Sequence, residues 1–119
     1  MKLDYDLVRT MLLQIEEDVD GVIGHSIGSY CKEAFSNNAH EQTKYHMKYL
    51  IDAGMIQATN GYFNDLTPAG HKFLADIRSE TVWTKTKELS TKLGAGSISA
   101  LSSIAGKVIA ETIKNSFSF

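Results

Sequence analysis

Residues 53–68 read Ala53-Gly54-Met55-Ile56-Gln57-Ala58-Thr59-Asn60-Gly61-Tyr62-Phe63-Asn64-Asp65-Leu66-Thr67-Pro68. Asn60-Gly61 stands between two short strand-forming runs. A type I′ turn needs positive φ at both central positions, which Asn and Gly tolerate best. The stretch therefore predicts a tight hairpin. Thr67-Pro68 then predicts a helix start, with Thr as cap and Pro at the first helical position, where its missing N–H is no loss. Phe73, Leu74 and Ile77 supply that helix with an apolar side.

Working back from the hairpin, residues 39–53 predict a helix. Gly54 stands where a left-handed residue ends it, and Asn37 or Asn38 is placed to cap its start. Thr43, Met47, Leu50 and Gly54 share the side expected to face the core. Glu41, Tyr45, Lys48 and Asp52 share the opposite side, flanked by Lys44 and Tyr49. Residues 4–19 predict a first helix: Asp4 caps it, and Val8, Met11, Leu12, Ile15 and Val19 recur at three- and four-residue steps. Between the two, residues 21–38 are loosened by Gly21, Gly24 and Gly28. They fit a short helix, or a short strand followed by one. Helix, short element, helix, tight hairpin, helix is the order of a winged helix. The expected class is mainly α (α+β): a winged helix-turn-helix over 1–79 with a two-stranded β-hairpin wing, and a C-terminal helical extension over 80–119.

The extension divides at Gly94-Ala95-Gly96. Ser79 can cap a helix over 80–92, with Val82, Trp83, Thr86 and Leu89 inward, and Ser97 can cap a last helix over 98–115. Ile98, Leu101, Ile104, Ala105, Val108, Ile109 and Ile113 form a wide apolar stripe on it. Such a stripe must pack on something. It either folds back onto its own chain or mates with a second copy; in the second case Ile98, Leu101, Ile104, Val108, Ile109 and Ile113 are the candidate homodimer contacts.

At 119 residues, 43% of them hydrophobic, the chain fits one domain with a real core. No apolar run approaches the roughly 20 residues of a membrane span, and the charged start has no apolar segment of signal-peptide type. Cys31 is the only cysteine, so no internal disulfide forms and a reducing cytoplasm is the expected location. The net charge of −2 hides an asymmetry. Residues 1–80 carry seven Lys and Arg against twelve Asp and Glu, and residues 81–119 carry five Lys against two Glu. The basic excess thus lies outside the region expected to meet DNA.

On the outer side of the 39–53 helix, Gln42, Lys44, Tyr45, Lys48 and Tyr49 are the candidate nucleic-acid contacts. Lys suits phosphate or guanine, Gln suits adenine, and Tyr can donate to phosphate. The plain alternative is a solvated face on which Glu41 pairs with Lys44. Glu41 and Asp52 repel phosphate, and the chain from Tyr49 to Gly70 has no Lys or Arg to give the wing a basic contact. His25, His40, His46 and His71 lack the i,i+4 spacing of a zinc pair and Cys31 has no Cys neighbour, so no metal or other cofactor is expected. His46 and His71 are expected at packing boundaries. No nucleophile sits in a catalytic signature, and Gly94-Ala95-Gly96-Ser97 lacks the Lys of a phosphate loop, so an enzyme is not expected.

Three stretches resemble a family of small uncharacterised proteins of bacteria and their phages. They are Met1-Lys2-Leu3-Asp4-Tyr5-Asp6-Leu7-Val8-Arg9, Tyr45-His46-Met47-Lys48-Tyr49-Leu50-Ile51-Asp52-Ala53-Gly54-Met55-Ile56, and Leu66-Thr67-Pro68-Ala69-Gly70-His71-Lys72-Phe73-Leu74 with Ile77-Arg78 and Val82-Trp83-Thr84-Lys85-Thr86-Lys87 following. The resemblance covers roughly residues 1–93 and departs over 21–38 and in the shortness of the wing. It implies a winged helix in a phage or prophage setting and no assigned activity. The leading expectation is a DNA-binding or regulatory module acting on double-stranded DNA. The alternative is a winged helix that engages a host defence or transcription protein.

Overall fold

The structure, a computed structural model, describes residues 2–116. The chain divides into two compact units, Met1–His71 and Lys72–Phe119.

In the first unit, α1 (Tyr5–Asp18) starts at Asp4, whose carboxylate accepts the Leu7 N–H at 3.2 Å. It buries Leu7, Val8, Met11, Leu12 and Ile15, so the apolar period of the sequence is the core face. A two-residue strand β1 (His25–Ser26) leads into α2 (Ile27–Ala34), and α3 (His40–Asp52) follows. Strand-then-helix is thus the arrangement that 21–38 adopts. Neither Asn37 nor Asn38 caps α3. Its N-cap position is Ala39, with no side-chain bond, because the chain at 35–38 is still turning, with the Asn38 N–H on the Phe35 carbonyl at 3.0 Å. The end of α3 is as expected: Gly54 has φ +76, its N–H meets the Ile51 carbonyl at 2.9 Å, and the Met55 N–H meets the Leu50 carbonyl at 2.9 Å. These two bonds satisfy orphan carbonyls of the last turn and seat Met55 beside Leu50.

β2 (Ile56–Thr59) and β3 (Tyr62–Leu66) pair antiparallel around Asn60, at φ 53, and Gly61, at φ 81. The hairpin is not two strands alone. β1 adds to its other side, His25 opposite Phe63 and Ser26 opposite Tyr62, giving the order β1-β3-β2. The third strand is hard to see in the sequence because two residues carry no period. Below the sheet, Phe63 stacks with His25 at 5.5 Å between centroids and meets Tyr30 edge-on at 4.9 Å. The Tyr30 hydroxyl donates to Asp18 at 2.8 Å; burial and that carboxylate push its ionisation upward.

α4 (Pro68–Ile77) begins at Thr67, whose hydroxyl accepts the Gly70 N–H at 3.0 Å and donates to the Gly54 carbonyl. The same junction brings the Thr67 N–H to the Met55 carbonyl at 3.0 Å.

In the second unit, α5 (Glu80–Leu93) is capped by Ser79 and closed by Gly94 at φ 67. α6 (Ile98–Ser116) starts with the Ala100 N–H on the Ser97 hydroxyl at 3.1 Å. The two helices pack together. Val82, Trp83, Thr86 and Ser90 are buried on α5, and Ile98, Leu101, Ala105 and Val108 on α6. Leu89, expected inward, is only half-buried, and Ser90 stands in the buried row instead. The described residues thus form a mainly helical α+β protein with six helices and one three-stranded antiparallel sheet. The layout is compatible with a winged helix. No helix among the described residues is long and apolar enough to cross a membrane.

Cys31 is fully buried, and burial pushes its thiol from an ordinary 9.0 up to about 11. A raised folded value favours the native state fully below the unfolded value, and that contribution fades as pH rises through the folded one. At neutral pH the native thiol will therefore resist iodoacetamide under conditions that alkylate the urea-unfolded chain completely. Equal rates in the two states would show that α2 leaves the sulfur open.

Candidate functional site

The face in question belongs to α3. Thr43, His46, Met47 and Leu50 are buried on its inner side. The Thr43 hydroxyl is satisfied by the His40 carbonyl at 3.0 Å. His46, expected at a packing boundary, lies wholly inside. Its Nδ1 is 2.8 Å from the Gln42 carbonyl and its Nε2 accepts the Asp4 N–H at 2.8 Å. A carbonyl partner requires a donor and an amide N–H requires an acceptor, so the ring is neutral with its proton on Nδ1. The imidazole thereby ties α3 to the residue that caps α1. Its partner, Asp4, is 42 residues distant in sequence, so no local pattern could point to it.

With that side inward, the five candidate residues lie toward solvent to different degrees. Lys44, Lys48 and Tyr49 are exposed, whereas Gln42 and Tyr45 are half-buried. The Tyr45 and Tyr49 rings lie 4.6 Å apart, and a hydrogen bond with Tyr49 raises the Tyr45 ionisation. Among the described residues the ion pair on this face is Lys48–Asp52, at 2.6 Å, rather than the Glu41–Lys44 pair that spacing suggests. Asp52 lifts the Lys48 ionisation by that bond, and the Lys48 ammonium also sits 5.8 Å from the Tyr49 ring centre.

A shallow groove of ≈ 440 Å³ runs beside these residues, lined by Ile27, Glu41, Lys44, Tyr45, Lys48, Ile51 and Asp52. Two ammonium groups face two carboxylates there, so the charges cancel. The floor is apolar, and Ile27 comes from α2. Sequence reasoning names the charged rim but misses Ile27, because the α2 segment carries too little periodicity to assign a face.

The C-terminal candidates are held differently. Ile98, Leu101 and Val108 are buried. Ile104 and Ile109 are half-buried, and at about 100° per residue they flank that buried row on opposite sides. Ile113 is exposed. Ile98, Leu101 and Val108 are thus covered, while Ile104, Ile109 and Ile113 form the more open border of the stripe. His25 stacks on Phe63, His46 is held as described, and His71 lies 3.2 Å from Asp65. Among the described residues no three His, Cys, Asp or Glu side chains group as metal ligands.

Comparison with known proteins defines the class first. The chain belongs to the family described as "Hypothetical protein (DUF2513)", which matches residues 2–97. It is also 30% identical to an uncharacterised protein of Haemophilus influenzae over 122 residues, covering 95% of this chain and 99% of that one. No solved structure matches it.

Proposed function

We propose that the protein is a winged-helix module that binds double-stranded DNA in a regulatory, non-enzymatic role, with α3 as the helix that enters the major groove. The observation that carries this reading is the exposure of Lys44, Lys48 and Tyr49 on one side of α3, with the opposite side of the same helix locked into the core. Major-groove readers need such a helix, anchored on one side and polar on the other. The phage or prophage setting rests on the sequence resemblance alone.

The acidic character of the first unit makes the expected binding weak and salt-sensitive. Lys44 is the stronger contact, because Lys48 is already shared with Asp52. Fluorescence polarisation with duplexes from the promoter region of its own gene tests this. Lys44→Ala should weaken binding about tenfold at low salt and lower the log–log salt slope by roughly one, with Lys48→Ala doing less. Binding with no dependence on either lysine would dismiss α3 as the contact.

A second reading is favoured by the charge-balanced, apolar groove between α2 and α3. A winged helix used to engage a protein would present such a surface, and phosphate would gain little from it. Absence of duplex binding at low salt selects this alternative.

A further inference from the structure

The loop between α1 and β1 does something unusual with its apolar side chains. Val22 is 82% exposed and Ile23 64% exposed, and Tyr62 at the start of β3 is 54% exposed. A floppy loop would explain two apolar residues in water, but this loop is stitched in place. One Asp20 carboxylate oxygen accepts the N–H groups of both Val22 and Ile23 at 2.8 Å. The Gly21 N–H donates to the Asn64 carbonyl at 3.0 Å, and the Asn64 side-chain amide donates back to the Gly21 carbonyl at 3.2 Å. Gly21 sits at φ +83, a conformation that disfavours any side chain. Gly24 lies against Tyr62, where a Cβ would come within 3.5 Å of the tyrosine Cβ. The hydrogen bonds thus hold Val22 and Ile23 outward and dock their loop on the strand that carries Tyr62. A shallow hollow of ≈ 140 Å³ lined by Gly24, Gln57, Thr59, Tyr62, Phe63 and Asn64 lies alongside.

The Lys, Arg, Asp and Glu residues of the two segments that build this tip are all acidic. No Lys or Arg occurs in residues 10–31 or 49–71, the two segments that build it. Asp20 lies within the loop, Asp18 just before it, and the Asp65 carboxylate is 3.4 Å from where a Gly21 Cβ would stand. Phosphate and anionic lipid are repelled by such a rim. Cationic side chains are attracted to it, and an apolar centre inside a charged border is the anatomy of a protein contact.

The geometry points to the 20–24 loop and the adjoining hairpin as a docking surface for a protein partner whose contact is an apolar patch bordered by Lys and Arg. This does not rest on DNA binding by α3; it assigns the wing side of the molecule to protein rather than to nucleic acid. The test is panning of the full chain with a random short-peptide display library. Enriched peptides should carry aliphatic or aromatic residues flanked by Lys or Arg and should weaken with added salt. They should lose affinity at least about tenfold on the double variant Val22→Ser/Ile23→Ser and bind Lys44→Ala as they bind wild type. Both replaced side chains are exposed, so the melting curve should hold; should it not, Tyr62→Ser alone serves as the variant. Enrichment no greater than on an unrelated protein, acidic peptides, or binding that survives both variants would overturn the proposal. So would sedimentation in which the wild type dimerises and the double variant does not, since a second copy would then be the occupant.

Discussion

Alanine in place of Gly70 will destabilise the protein by more than about 3 kcal/mol and lower its urea midpoint markedly. A Cβ at that position would lie 2.0 Å from the Met55 carbonyl oxygen and 2.9 Å from its carbon. Both are backbone atoms, so no rotamer change relieves the clash. Nor is the Met55 peptide free to move, because its oxygen accepts the Thr67 N–H and its N–H closes the last turn of α3. The junction between hairpin and α4 must open instead, and the Thr67 contacts to Gly54 and Gly70 open with it. Overpacking against fixed backbone costs more than about 3 kcal/mol, which consumes much of the roughly 5–15 kcal/mol a small domain has in total. Urea titration followed by circular dichroism reads the loss. A midpoint unchanged from wild type would mean that α4 does not approach Met55 this closely.

The next largest effect is expected at His46. Replacing it with Ala empties a fully buried site and strands the Asp4 N–H, a combined cost of about 2–4 kcal/mol. The variant His46→Phe separates the two causes. It restores the volume but accepts no hydrogen bond, so it should still cost about 1–3 kcal/mol. Asp4→Ala removes only the cap on Leu7 and keeps the backbone N–H that His46 holds, so its cost should stay near about 1 kcal/mol. Urea midpoints of the three variants give the comparison. If His46→Phe proved as stable as the wild type, the imidazole would be a filler and not a tie between α3 and the start of α1.

How far the fold is legible follows from which of its signals are local. The Asn60-Gly61 turn, the Gly54 helix end, and the Asp4, Ser79 and Ser97 caps each depend on a few adjacent residues, and each appears where the sequence puts it. β1 and the α2 face are not assignable from sequence, because they are defined by partners: His25 pairs with Phe63 across 38 positions of chain. Asn37 and Asn38 carry a false cap signal, since the residue type suits a cap but the chain there is occupied by another turn. In the candidate site, the outward set on α3 is readable from its period alone. The apolar floor at Ile27, the Lys48–Asp52 pairing and the inward seat of His46 need the third dimension. For α6, the breadth of the stripe is visible, but a sequence cannot say whether breadth means two partners or one partner with two margins.

The most direct test of the central claim is an amide chemical-shift titration of the isotopically labelled protein with a duplex from the promoter region of its own gene, at low salt. The account predicts shifts concentrated in α3, around Lys44, Tyr45, Lys48 and Tyr49, while the amides of Val22, Ile23 and Tyr62 stay in place. Shifts that spare α3 and gather on the second unit, where the basic excess lies, would contradict it.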